Sequence, residues 1–207
     1  MENELKNLIG QGEKILYEGK PNKKCFIFES IFNPLMPFAI LWAIMDLNFM
    51  GKAAFMNGQK EILFFLLIHM APVWIYLGGI LLTSRRYKNT YYVVTDTGIY
   101  VSGGTFTRTY HHKPFAELSY VNLHRGIFDQ IFNVGDIITT SSQFTNNSRN
   151  YASSRNRSAA ISISSISNYV EVYNLVNKLQ QDIYTDVMYP NDKRPEENHG
   201  YKTKYKG

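Results

Sequence analysis

Hydrophobic and polar positions divide the chain into three regimes. From Ile62 to Leu82 there is no Asp, Glu, Lys or Arg, and 17 of the 21 residues are hydrophobic, the others being His69, Pro72, Gly78 and Gly79. At about 1.5 Å per residue a helix of this length covers roughly 30 Å, the thickness of a hydrocarbon core. The pattern predicts a transmembrane helix at 62–82; the alternative, a buried helix of a soluble core, would normally keep a polar stripe. A weaker span precedes it at 31–50, where Asn33, Pro34, Pro37, Asp46 and Asn48 interrupt an otherwise apolar run. An eleven-residue link, Gly51 to Glu61, joins the two. A lone membrane helix would leave Phe38 to Met45 in water, so a transmembrane helical hairpin over 31–84 is expected, with a re-entrant or interfacial first segment as the alternative. Asp46 is placed near the far interface, where its carboxylate reaches water, and His69 is read as a hydrogen-bonding link to the first helix.

From Tyr91 onward the pattern changes to short β-rich runs between turn residues. Strands are predicted at Tyr91 to Thr95, Ile99 to Ser102, Thr105 to Tyr110, Phe115 to His124, Asp136 to Ser141 and Ala160 to Ser164. Asp96-Thr97-Gly98 and Gly103-Gly104 supply hairpin turns, since their residues tolerate positive φ. Val172, Leu175, Val176, Leu179 and Ile183 recur at helical spacing, with Asn168 placed to cap the first turn. The expectation is a mainly-β barrel of six or seven antiparallel strands, plugged by one C-terminal amphipathic helix. Residues 1–30 are read as an N-terminal cytoplasmic segment, 141–159 as a polar loop and 186–207 as a disordered tail.

The run Tyr92-Val93-Val94-Thr95-Asp96-Thr97-Gly98-Ile99-Tyr100-Val101-Ser102-Gly103-Gly104 resembles the opening hairpin of the bacterial pleckstrin-homology (PH) domain of YdbS-type membrane proteins. Pro114-Phe115-Ala116-Glu117-Leu118 is similar to that family's Pro-apolar-x-x-apolar strand. Gly126-Ile127-Phe128-Asp129-Gln130-Ile131-Phe132-Asn133-Val134-Gly135-Asp136-Ile137 resembles its next segment, and Gly12-Glu13-Lys14-Ile15-Leu16-Tyr17 and the helical hairpin fit its layout. Asn133 stands where the family often has glycine; Asn tolerates the left-handed conformation, so the fold is expected to survive. The resemblance implies a PH-like barrel over 85–185 beside the membrane, and neither an enzyme nor a particular ligand.

Composition adds little until it is located. The chain has 207 residues, 44% hydrophobic and 19% charged, a formal net charge of +5 and a mean hydropathy of -0.25. Residues 85–185 hold 10 Lys and Arg against 6 Asp and Glu. Arg85, Arg86 and Lys88 at the bilayer junction and Arg149, Arg155 and Arg157 on the polar loop more than account for that excess. These six are the candidate lipid- or partner-binding residues, since anionic lipid attracts juxtamembrane cations. Two clusters on a slightly acidic body do not suit nucleic acid, which asks for a broad basic face. Lys20, Lys23, Lys24, Arg85, Arg86 and Lys88 flank the spans on the terminal side, so both termini are expected in the cytoplasm of a multi-pass cell-membrane protein. The lone Cys25 then sits in a reducing compartment as an unmodified thiol.

Enzymatic motifs are sparse. Asp96-Thr97-Gly98 matches the aspartic-protease tripeptide, but that chemistry needs two carboxylates and the chain has one copy. His111, His112 and His124 lack the spacing of a metal site, because adjacent residues on a strand point to opposite faces. No catalytic residue, metal or cofactor is therefore assigned, and a membrane hydrolase using Asp96, His112 and Asp136 is the remote alternative. The leading expectation is a non-enzymatic membrane protein whose cytoplasmic PH-like domain binds a protein partner or a second copy. Anionic-lipid recognition is the second.

Overall fold

The computed structural model describes residues 2–52, 60–141 and 161–188. The chain opens with α1 (Glu2–Lys6), β1 (Ile15–Gly19) and α2 (Lys23–Ile31), followed by α3 (Leu35–Asp46), which runs on as a π-helical turn over Leu47–Gly51. After the link come α4 (Lys60–His69) and α5 (Ala71–Asn89). The sheet domain follows: β2 (Tyr91–Thr95), β3 (Gly98–Gly103), β4 (Thr109–Pro114), a 3-10 turn at Phe115–Glu117, β5 (Leu118–His124), α6 (Ile127–Ile131), β6 (Gly135–Ser141), β7 (Ile161–Ile166) and α7 (Tyr169–Met188).

Two antiparallel sheets form, ordered β1-β2-β3-β4 and β5-β6-β7. Alternation on β2 decides the layering. Tyr92 and Val94 face a core shared with Ile99, Phe115, Leu118, Ile137, Ile163 and the Val172, Val176 and Leu179 stripe of α7. Tyr91 and Val93 face the other way and are covered by Leu5 of α1 and Tyr100. The α7 stripe is the one its helical spacing predicts.

Several predicted boundaries are corrected. Strand β1, assigned by the sequence to a separate segment, is an edge strand of the first sheet, with Glu18 opposite Val93. The predicted strand at Thr105 to Tyr110 starts instead at Thr109. Gly103 pairs with Thr109, so the two-residue turn expected at Gly103-Gly104 is a five-residue loop, 104–108. Gly104 has φ +114°, and a Cβ there would collide with the Thr107 carbonyl, so the loop depends on glycine. Phe115 to Glu117 form a 3-10 turn rather than the start of β5. Asn133 takes φ +52°, the left-handed conformation expected of it. The polar loop 141–159, with Arg149, Arg155 and Arg157, and the tail 186–207 fall wholly or largely outside the described residues.

The helical layer departs most from expectation. Among the described residues no single helix is long and apolar enough to cross a membrane; two bent pairs have the length and composition, Lys23–Ile31 with Leu35–Gly51 (44°) and Glu61–His69 with Ala71–Asn89 (51°). The predicted helix at 62–82 is thus two helices, because Pro72 has no N–H for the preceding turn and its ring obstructs that turn. The break leaves carbonyls without helical partners, and two indoles take them up. Trp42 Nε1 donates to the His69 carbonyl and Trp74 Nε1 to the Leu67 carbonyl, each at 2.9 Å. At the first break, Asn33 accepts from the Leu35 N–H (2.8 Å) and donates to the Ser30 carbonyl (2.7 Å), beside Pro34.

Asp46 also departs from its predicted solvated position. It is 1% exposed, and His69 Nδ1 lies 2.9 and 3.0 Å from its two oxygens, on the ring that stacks against Trp42 and Phe65. His69 does link the two helical segments, as its position suggested, and Asp46 is its partner.

Candidate functional site

The place where the helical layer meets the sheet domain carries the densest chemistry. It is built by α2, the C-terminal turns of α5, and the short α6. Asn22 starts α2: its side chain accepts the Lys24 and Cys25 N–H groups (3.0 and 3.3 Å), while its own N–H donates to the Ser165 carbonyl of β7 (2.6 Å). The helix is thereby sewn to the second sheet at its first residue. Farther along, the Ser30 and Thr83 hydroxyls hydrogen-bond, and Tyr76 Oη donates to the Ile31 carbonyl (2.8 Å), which fixes α2 against α5.

Four phenylalanines fill the angle between α2 and α6. Phe28 meets Phe32, Phe128 and Phe132 at ring-centroid distances of 5.7, 6.4 and 5.1 Å, and Phe32 meets Phe128 at 5.6 Å. Arg125 orients the α6 loop. Its Nε donates to the Val134 carbonyl (2.8 Å), and its guanidinium stands 4.6 Å over the Tyr169 ring. Gly135 lets Tyr169 approach this closely, since a Cβ there would sit 2.9 Å from the ring.

Beneath the aromatics lies an acidic cluster. Ligand atoms of Cys25, Glu29 and Asp129 fall within 4.8 Å of one another. Cys25 and Asp129 are buried; Glu29 is exposed. The Cys25 thiol donates to Asp129 Oδ1 (3.5 Å) and the Gly126 N–H to Asp129 Oδ2 (2.8 Å). One Asp129 oxygen thus holds α6 to α2 while the other caps the first turn of α6 itself, so the group works as a clasp. Burial, reinforced by the Glu29 and Asp129 charges, pushes the Cys25 thiol up to about 12, which leaves it protonated and a poor nucleophile.

Of the six basic candidates, the structure places Arg85, Arg86 and Lys88 together, all exposed, on the last turns of α5. The Arg86 guanidinium stands 5.5 Å over Phe26, whose ring meets Tyr87 edge-on at 6.0 Å. The residues proposed for hydrolysis have structural partners instead. Asp96 accepts the Lys14 N–H (3.0 Å) and returns its own N–H to the Lys14 carbonyl (3.1 Å), which seats β1. His112 stacks on Tyr100 at 4.1 Å, and Asp136 accepts the N–H of Ser165, a residue at φ +55° (2.7 Å). His111 and His112 lie on the first sheet and His124 on the second.

Sequence reasoning missed the α2–α6 junction, because Phe28 and Glu29 meet Phe128 and Asp129 only after a hundred intervening residues fold. The one available signal was the spacing of Phe28 with Phe32 and of Cys25 with Glu29, four apart on one helical face.

Two antiparallel sheets sharing a core with a C-terminal helix, joined without a linker to bent apolar helices, define the class: a small mixed α/β domain mounted on a helical layer. More particularly, the chain belongs to the bacterial PH domain family, whose model matches residues 39–180, from within α3 to within α7. The match takes in most of α3, all of α4 and α5 and strands β2 to β7, while α1, β1 and α2 precede it. No curated protein and no solved structure matches the chain.

Proposed function

We propose that the chain is a non-enzymatic, multi-pass membrane protein that presents its PH-like domain at the cytoplasmic face to bind a partner protein or organise a membrane complex. The observation that carries this reading is the outward surface of α3, α4 and α5, where Leu41, Ile44, Phe64, Ile68, Ile75 and Leu81 are exposed. So continuous an apolar surface on a folded protein calls for lipid or protein against it. Basic residues support the orientation. Lys23, Lys24, Arg85, Arg86 and Lys88 gather at the domain end of the helices, while Lys52 and Lys60 lie at the other. Strand β4 ends the order of the first sheet, and a sheet edge is where an extended peptide adds as a further strand.

Reporter fusions at residue 55 and at the C terminus test the placement, and crosslinking in native membranes tests the role. The expected outcome is an external reporter at 55, an internal one at the C terminus, and a defined crosslinked partner that depends on residues 91–185. An external C-terminal reporter, or only random abundant proteins in the crosslinked fraction, counts against the reading. Arg85, Arg86 and Lys88 favour a second reading, contact with anionic headgroups, because all three are exposed beside the apolar run.

A further inference from the structure

Helix α6 turns two isoleucines outward. Ile127 is 77% exposed and Ile131 67%, and at i and i+4 they share one face of this single turn. Phe128 and Phe132 on the adjacent side of the same turn join Phe28 and Phe32, so apolar side chains run from the helical layer onto the sheet domain. Contacts along α2 give the level at which this surface lies. Phe26 meets Arg86 and Tyr87, Ser30 meets Thr83, and Ile31 meets Tyr76. Phe28 and Phe32 bracket Ser30 along α2 but lie on its opposite face, so their ring partners Phe128 and Phe132 stand across α2 from α5, at the level of Thr83 and next to that of the turn carrying Arg86. That is where the charge-free run ending at Leu82 gives way to Arg85, Arg86 and Lys88.

We propose that α6 is an interfacial wedge: Ile127 and Ile131 enter the boundary between headgroups and acyl chains beside α2, with Arg85, Arg86 and Lys88 at the adjacent headgroup level. The occupant of this apolar face is the lipid surface. Its neighbours are the composition that favours such a boundary, aromatic and aliphatic side chains below and cations above. The clasp of Cys25 and Asp129 and the Arg125 contacts hold α6 rigidly, so its insertion fixes how the whole PH-like domain sits on the bilayer. This inference rests on the membrane-anchored reading above.

The test uses the full chain in vesicles of phosphatidylcholine and phosphatidylglycerol, with an environment-sensitive fluorophore on Ile131→Cys in a Cys25→Ser background. A parallel sample keeps Cys25, whose buried thiol does not compete for the label. Ile75→Cys on α5 reports on the anchor, and Phe106→Cys, in the exposed 104–108 loop, is the aqueous reference. The probe at 131 should be quenched by spin-labelled lipid bearing its label near the headgroup and be reduced by aqueous dithionite on the order of tenfold more slowly than the probe at 106. The probe at 75 should respond to lipid labelled deep in the acyl chain. Fast aqueous reduction at 131 together with lipid quenching at 75 overturns the wedge alone. Aqueous access at both positions overturns the anchor and the wedge with it. Self-quenching at 131 that disappears when the protein is diluted into more lipid assigns the face to a second copy and also overturns the wedge.

Discussion

Phe115→Ala is expected to lower the stability of the sheet domain by about 3–5 kcal/mol, the cost of emptying a fully buried aromatic site. Phe115 is 1% exposed and occupies the 3-10 turn between β4 and β5, where the chain leaves the first sheet for the second. Its ring belongs to the core that Tyr92 and Ile99 of one sheet share with Ile137 and Ile163 of the other and with α7. Its N–H donates to the Thr97 carbonyl (2.9 Å), which holds the backbone of this crossing point against the β2–β3 turn. Removing the ring therefore weakens the joint between both sheets and the helix. Both tryptophans, Trp42 and Trp74, lie in the helical layer, so their fluorescence does not follow this event. Hydrogen exchange on the micelle-held full chain does. At about 1.4 kcal/mol per tenfold, β3 and β6 amides should exchange roughly two to three and a half orders of magnitude faster in the variant. Phe115→Leu, which keeps most of the buried volume, should show a much smaller effect. Equal exchange in wild type and Phe115→Ala would mean that the two sheets do not share a core.

How much of this was legible in the sequence depended on the range of the contacts involved. Local periodicity located β2, β3, β6, β7 and the buried face of α7, because each of those stripes packs as its own spacing dictates. Strand β1 was missed: Ile15–Gly19 is short, and it becomes a strand only by pairing with β2 about eighty residues later. The turn after β3 was misjudged because Gly103-Gly104 satisfies a two-residue hairpin, whereas the real loop uses only Gly104 at positive φ and extends to Arg108. Pro72 stood in plain view inside the longest apolar run, yet hydropathy summed over 21 residues is insensitive to one missing N–H. Charge placement alone singled out Arg85, Arg86 and Lys88, and the structure sets them exposed on the last turns of α5. The α2–α6 clasp could not, since the pairing of Cys25 with Asp129 follows from the docking of α2 on the second sheet through Asn22 and Ser165.

The Asp46–His69 pair was split by the sequence into two unrelated roles, and their joint geometry leads to an asymmetric prediction. His69→Leu should cost the helical hairpin about 3–5 kcal/mol, because it leaves a buried carboxylate without its partner. Asp46 is 1% exposed, and no other residue supplies it with a side-chain hydrogen bond among the described contacts. Asp46→Leu should cost less, about 1–2 kcal/mol, since the imidazole left behind has 34% of its surface exposed and can reach a polar neighbour. The double variant Asp46→Leu with His69→Leu should recover most of the loss, as it removes the buried polar pair rather than orphaning one member. Trp42 makes the measurement local. It stacks on the His69 ring at 5.2 Å and donates to the His69 carbonyl, so its fluorescence during detergent-induced unfolding of the full chain reports on this junction. The ordering decides the matter: His69→Leu least stable, then Asp46→Leu, with the double variant near the milder single. Equal single costs, or a double variant as unstable as the sum of both, would show that Asp46 reaches water at the helix end and that the indole caps at the Pro72 break, rather than this pair, hold the hairpin together.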